Sequence, residues 1–355
     1  MLPHTRFQYG ITEIRDLSVD RVRRNDAGKV TRMTLRLEDE IVEPTQRFWR
    51  SFFQRFRISA NVFRYFEPVE VFERISRVGS DTTFRTCIEI KGGKRRLLGV
   101  TSPTRPVLPL HRMEPLLETH GAIRVQYGDG VLSTTHLLQS RRRREAIGGD
   151  QFEDRLVLES PVDGFGNPRL YLSLMRQVCT NGMVGYSPAF RTEIPAGRDL
   201  DVCIDRALAS FDSSDGFVAL RQRFESAQTS YASVAECVAM GKLLEKLEAG
   251  GHLTEKGLPA KFRTVAGNLL DLYGLANLDA LTQKRRRVLP APCRMYDLLN
   301  FASEVATHHA DAHGARVLQA QIGTWISDEY DLEGTARGNE DFEETFMPST
   351  VPAEA

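Results

Sequence analysis

Up to about residue 200 the apolar residues of this chain fall in short alternating runs separated by glycine turns; beyond it they recur every three or four residues. Alternation of period two belongs to half-buried strands, and the longer period belongs to amphipathic helices. Phe84–Ile90 and Arg96–Thr101 flank Gly92 and Gly93, while Ala122–Tyr127 and Val131–Leu137 flank Gly128, Asp129 and Gly130. Both read as hairpins, because these residues supply the positive φ of a tight turn. Further strands are expected at Val30–Leu37, Arg155–Leu158 and Leu170–Leu174, the last two joined by the loop SPVDGFGNP. Helices are expected over Asp201–Phe211, Gly216–Ala227, Ser230–Leu247, Lys261–Tyr273, Arg294–Ala312 and Ala315–Ile326.

Strands followed by helices predict an α+β fold with antiparallel sheet and argue against a doubly wound α/β fold. The expected organisation is an α+β domain over residues 1–200, antiparallel and rich in hairpins. A mainly helical part packed on it follows over 201–327, and an acidic disordered tail over 328–355.

The charges balance, 47 Lys+Arg against 47 Asp+Glu, but they are unevenly placed. From Asp328 onward there are nine acids and one base, so the tail carries −8 and the remainder +8. Few aliphatic residues interrupt the acids, which predicts disorder. Such a tail reads as a mimic of nucleic acid competing for the basic body, as a docking peptide for a protein partner, or as a solubilising segment.

The basic charge is clustered at Lys91, Lys94, Arg95 and Arg96; at Arg141, Arg142, Arg143 and Arg144; and at Lys284, Arg285, Arg286 and Arg287. Each run alone is most simply a solvated loop. Three together fit a polyanion, whose counterions are released as each cation binds. A fourth cluster lies in Gln46–Phe66, which has no acid, the arginines Arg47, Arg50, Arg55, Arg57 and Arg64, and eight aromatic residues. At helical spacing Phe48, Trp49, Phe52, Phe53 and Phe56 form one face and Arg47, Arg50, Gln54 and Arg57 the other, with Thr45 placed to cap the start. The simplest reading is a core helix with a wet arginine face. The sharper one is a platform on which single-stranded bases stack while arginines hold the backbone. A membrane-surface helix ranks third.

Catalytic signatures are few. No phosphate-binding G-x-x-x-x-G-K-[ST] loop, H-E-x-x-H pair or G-x-S-x-G elbow occurs. Gly164–Phe165–Gly166 lacks the third glycine of a dinucleotide site and reads as a turn. His308, His309 and His313 fall on different helical rows, so a shared metal is not expected. Cys179 has no local base, and a structural turn is preferred there to a reactive thiol. The five cysteines are odd in number with no C-x-x-C spacing, which predicts reduced thiols.

Two segments carry a resemblance. Arg176-Gln-Val-Cys179-Thr-Asn181-Gly182-Met and Tyr296-Asp-Leu-Leu-Asn300-Phe-Ala-Ser303-Glu-Val-Ala-Thr-His308 resemble the phage/plasmid-like family of uncharacterised bacterial proteins, domain of unknown function 932. The resemblance covers roughly residues 40 to 320; Ser303 stands where that family commonly has threonine. It implies an origin on a mobile genetic element such as a prophage, and no activity or cofactor.

The functional expectation is a non-catalytic nucleic-acid-binding protein, binding or annealing single-stranded DNA and modulated by its tail. Self-association is compatible with it. The alternatives are a module acting on a host protein, and an enzyme with a site around Cys179, Asn181, Asn300, Glu304 and His308. No apolar run of about 18 residues exists to span a membrane, and MLPHTRFQYG lacks the apolar stretch of a secretory signal. A cytoplasmic location without cofactor is therefore expected.

Overall fold

The computed structural model describes residues 5–26, 28, 30–79, 82–137, 144–147, 150–176, 182–184, 191–194, 199–209, 214–269 and 277–326. The fold is α+β, with antiparallel-rich sheet in the N-terminal half and helices in the C-terminal half. Two compact units share the chain. The first takes residues 1–135, 158–169 and 193–211; the second takes 136–157, 170–192 and 212–355.

In the first unit, β1 (Thr5–Glu13), β2 (Leu17–Arg24), β3 (Val30–Leu37), β4 (Glu40–Pro44), β5 (Thr83–Lys91) and β6 (Lys94–Thr101) form one sheet of order β1-β5-β6-β4-β3-β2. Every pairing is antiparallel except β4 with β6. The β5–β6 turn is tight because Gly92 and Gly93 both adopt positive φ, 56° and 77°. Helix α1 (Gln46–Phe56) lies on β6, and α2 (Pro68–Val78) packs on β2. Thr45 caps α1 by accepting the Phe48 N–H at 3.1 Å. Phe48 and Phe52 are fully buried among Leu35, Val42, Phe72, Phe84 and Leu97, with Trp49, Phe53, Phe56 and Phe63 packed around them. The aromatic face of α1 is therefore core.

The same unit holds α3 (Leu110–Thr119), β7 (Ala122–Gly128), most of β8 (Val131–Leu137) and α4 (Leu200–Ala209). Between β10 (Asp150–Pro161) and β11 (Arg169–Arg176) it receives the loop of residues 162–168. A second sheet has the order β12-β11-β10-β8-β7, with β9 (Arg144–Ile147) on β10 and β13 (Arg191–Glu193) on β11; β12 is Gly182–Val184.

The second unit contains α5 (Ser214–Thr229), α6 (Val234–Ala249), α7 (Leu258–Ala266), α8 (Gln283–Val288), α9 (Met295–His308) and α10 (Ala312–Thr324). A two-stranded sheet of β14 (Tyr231–Ser233) and β15 (Pro290–Arg294) accompanies them. Ser233 and Glu236 form a reciprocal cap that starts α6. The expected helix at 261–273 begins earlier, at Leu258, and is interrupted after Ala266, where Gly267 leaves helical geometry with φ 72° and ψ 174°; residues 270–273 lie outside the described residues. The buried thiols Cys237 and Cys293 lie 3.7 Å apart and unbonded covalently. No described helix is long and apolar enough to cross a membrane. The tail expected to be disordered, 328–355, lies outside the described residues.

Candidate nucleic-acid interface

A cleft of about 670 Å³ opens in the first unit beside α1. Arg47, Ser51, Gln54 and Arg55 line it at spacings i, i+4, i+7 and i+8, so one helical row supplies its wall. Arg57 lies just past the helix, in the left-handed region at φ 54°. The opposite side comes from Thr101 at the end of β6, from Ser102 and Arg105 beyond it, and from the loop Gly164–Asn167 with Arg169. Five arginines thus face one acid, Glu159, among the described residues of the lining.

The foundation of this cleft is a buried ion pair. Arg47 donates Nε–H to Asp163 Oδ2 at 2.6 Å and Nη2–H to Asp163 Oδ1 at 2.8 Å. Its Nη2 also donates to the Phe165 carbonyl. Asp163 Oδ1 accepts the Phe165 N–H at 3.0 Å, so the same carboxylate shapes the loop as an Asx turn. Burial pushes the Asp163 carboxyl above its ordinary value, while the Arg47 fork and the Phe165 amide pull it back. Contact of the guanidinium fork with both oxygens is the bidentate geometry of an arginine–carboxylate pair. Glycines make room for it. A Cβ at Gly99 would lie 2.7 Å from Asp163 Oδ2, and one at Gly130 would lie 2.9 Å from Arg47 Cδ.

The cations of the cleft differ in how far they are committed. Arg105 donates to the Gly164 carbonyl at 3.2 Å and to Asn167 Oδ1, and Arg169 pairs with Glu193 at 3.2 Å. Arg55 donates Nη2–H to the Thr83 carbonyl at 3.2 Å, but its buried Nε has no partner among the described residues. The Thr101 hydroxyl, on a residue only 7% exposed, is likewise unsatisfied. Arg57 is exposed and forms no ion pair among the described residues. Phe165 is half-buried, with the Arg47 guanidinium over its ring at 5.2 Å from the centroid. The cleft thus joins unengaged donors to an aromatic ring, suiting an anionic ligand with a flat apolar part.

The other expected contacts are placed as follows. Arg50 is exposed on α1 outside the cleft lining, while Arg47 is a buried partner of Asp163 and not a free surface cation. Lys91 and Lys94 are exposed at the β5–β6 turn, but Arg95 pairs with Glu40, and Arg96 pairs with buried Glu89 at 3.0 Å and Asp129 at 3.5 Å. A paired charge displays less field, so Arg95 and Arg96 are weaker phosphate contacts than their run suggests. Arg141, Arg142 and Arg143 lie outside the described residues; Arg144 begins β9. In the second unit Lys284, Arg285 and Arg287 are exposed on α8, and Arg286 donates to the Leu281 carbonyl at 3.1 Å. The base-stacking reading of Phe48 and Phe52 is corrected: both rings are sealed in the core. Phe165, read in the sequence only as part of a turn, and Thr101 and Arg105, unremarked there, line the cleft instead. The signal for Phe165 was the glycine-rich stretch after Pro161, legible as a turn; Thr101 and Arg105 carried none.

The two resemblance segments approach each other within the second unit. Strand β12, which begins at Gly182, packs against α9, the helix of Asn300, Ser303 and His308. Arg176 ends β11, while Cys179 and Asn181 lie outside the described residues. Ser303 is fully buried, and among the described residues neither its Oγ nor Asn300 Oδ1 finds a hydrogen-bond partner; His308 is exposed. His309 pairs with Glu255 at 2.9 Å, and the His313 ring lies tilted beside His252 with centroids 4.4 Å apart. Among the described residues no three His, Cys, Asp or Glu side chains gather to hold a metal. No family model, curated protein or solved structure matches the chain.

Proposed function

We propose that this protein binds nucleic acid without catalysing a reaction, taking the backbone into the arginine-lined cleft of its first unit. The observation that carries the reading is the set of uncommitted cations in the cleft: Arg57 forms no ion pair among the described residues and Arg55 is only partly engaged, while Arg47 and Arg169 are held by Asp163 and Glu193. Backbone neutralisation alone gives affinity, and annealing of strands needs nothing more than that with bases left exposed. The acidic segment beyond Asp328 competes for the same surface, so the +8 body is masked by its own −8 tail. A place on a mobile genetic element and membership of the phage/plasmid-like family belong to the same proposal, resting on the two resemblance segments. Cytoplasmic residence is part of it too.

The test is equilibrium binding of labelled single-stranded DNA, duplex DNA and single-stranded RNA at low ionic strength. Binding of at least one that weakens as salt rises is expected; no binding to any of them sinks the proposal. A second reading is favoured by one observation, the unsatisfied Asn300 and Ser303 atoms on the helix that meets β12. In that reading the second unit holds a ligand or catalytic site there. A purified Ser303→Ala variant that binds nucleic acid as the parent does, yet loses a cellular phenotype, would favour it.

A further inference from the structure

We infer that the cleft of the first unit holds one unpaired nucleotide, its phosphate on Arg55, Arg57 and Thr101 and its base on the Phe165 ring. The inference rests on the nucleic-acid reading above and names what that site recognises. Its starting point is a shared chemical bias among unengaged atoms. Arg55 Nε and Thr101 Oγ1 are buried without partners, and Arg57 adds a guanidinium outside any ion pair among the described residues. A buried donor left unsatisfied is costly, so a ligand that accepts from both recovers that penalty. A phosphate offers several acceptor oxygens in a tetrahedral array, enough for a hydroxyl and two guanidinium groups together.

The aromatic ring distinguishes a nucleotide from a bare anion. Phe165 lines the same cleft, and its backbone N–H and carbonyl are held by Asp163 and Arg47. The ring therefore stands on a fixed support and loses little freedom on stacking. Residue 164 must be glycine there, because φ is +74° and a Cβ would meet Val107 Cγ1 at 2.9 Å. The ring is half-buried, with the Arg47 guanidinium 5.2 Å from its centroid, so part of it remains open to the cleft. The volume, about 670 Å³, suits a small ligand rather than a helix of nucleic acid. Bases inside a duplex are stacked on each other and offer no free face, so the same geometry selects single strands.

The test uses the full chain and a short labelled oligothymidylate, with inorganic phosphate, thymidine and thymidine monophosphate as competitors. Thymidine monophosphate is expected to displace the oligonucleotide at the lowest concentration, because it alone fills both halves of the site. Phe165→Leu is expected to weaken binding about tenfold and Phe165→Tyr to retain it, in line with the worth of one base–aromatic stack. Thr101→Val is expected to weaken binding while leaving the melting temperature of the free protein unchanged or higher, since it removes an unsatisfied hydroxyl. A merely structural role for Thr101 would lower both. The assignment is overturned if phosphate alone competes as well as thymidine monophosphate. It is overturned too if Phe165→Leu binds like the parent, or if duplex binds as tightly as single strand. In those cases salt-dependent binding would still stand and only the cleft's assignment would fall. Absence of any binding by the parent protein would remove both.

Discussion

Asp163 and Arg47 are the residues on which the cleft depends. The aspartate side chain is entirely inaccessible, the arginine is 16% exposed, and 116 positions of sequence separate them. That separation is why Arg47 reads in the sequence as one more basic residue of an arginine-rich helix: nothing local names its partner. Arg47→Ala leaves a buried carboxylate uncompensated, and a loss of about 3–5 kcal/mol is expected in a urea unfolding titration. A loss below about 1 kcal/mol, the range of exposed pairs, would mean the pair is not sequestered. Gly99→Ala should reproduce part of that loss without touching either charge, because the new methyl displaces the carboxylate. The unfolding midpoint of the alanine variant measures it.

At the scale of elements, what was legible in the sequence follows how strongly each element is buried. Val30–Leu37, the two hairpins and the Thr45 cap are found where alternation, paired turn residues and a capping hydroxyl placed them. Strands β1 and β2 carry weaker patterns, since both are edges of the first sheet and each buries only one residue of its run. Helix α3 follows Pro109 and contains Pro115, residues that signal a break rather than a helix. The cleft was legible only on its α1 side, because its far wall is irregular loop whose shape comes from the Asp163 turn. Helix α10 offers a test of a different element. Asp311 caps it by accepting the Gly314 N–H at 2.8 Å. Although burial pushes the Asp311 carboxyl upward, the Gly314 amide and the His252 ring beside it bring it below its usual value. Its folded value is thus lower than its unfolded one. The contribution is present above the ordinary aspartate range near about 4 and is lost as pH falls through the folded value. Asp311→Ala is expected to cost about 1 kcal/mol at neutral pH. Melting curves of parent and variant should converge in acid; a pH-independent gap would contradict the assignment.

At the scale of the whole molecule, net neutrality conceals two opposed parts, a +8 body and a −8 tail. Removing residues 328–355 is expected to tighten nucleic-acid binding at low salt, with the gain shrinking as salt screens the tail. Competition by the tail added back as a separate peptide checks the same point, and a truncated chain of unchanged affinity would leave the tail without this role. The cationic runs are not equivalent either. Those of the first unit include Arg95 and Arg96, already paired, whereas Arg57 forms no ion pair among the described residues and Arg55 is partly engaged in the cleft. The most direct measurement is therefore the slope of log affinity against log salt for a single-stranded oligonucleotide, compared between the parent chain and an Arg55→Gln/Arg57→Gln double variant. With about 0.7 of slope for each phosphate contact on a single strand, loss of two contacts should make the variant's slope shallower by about 1.4. Identical slopes and affinities would contradict a cleft that binds the backbone.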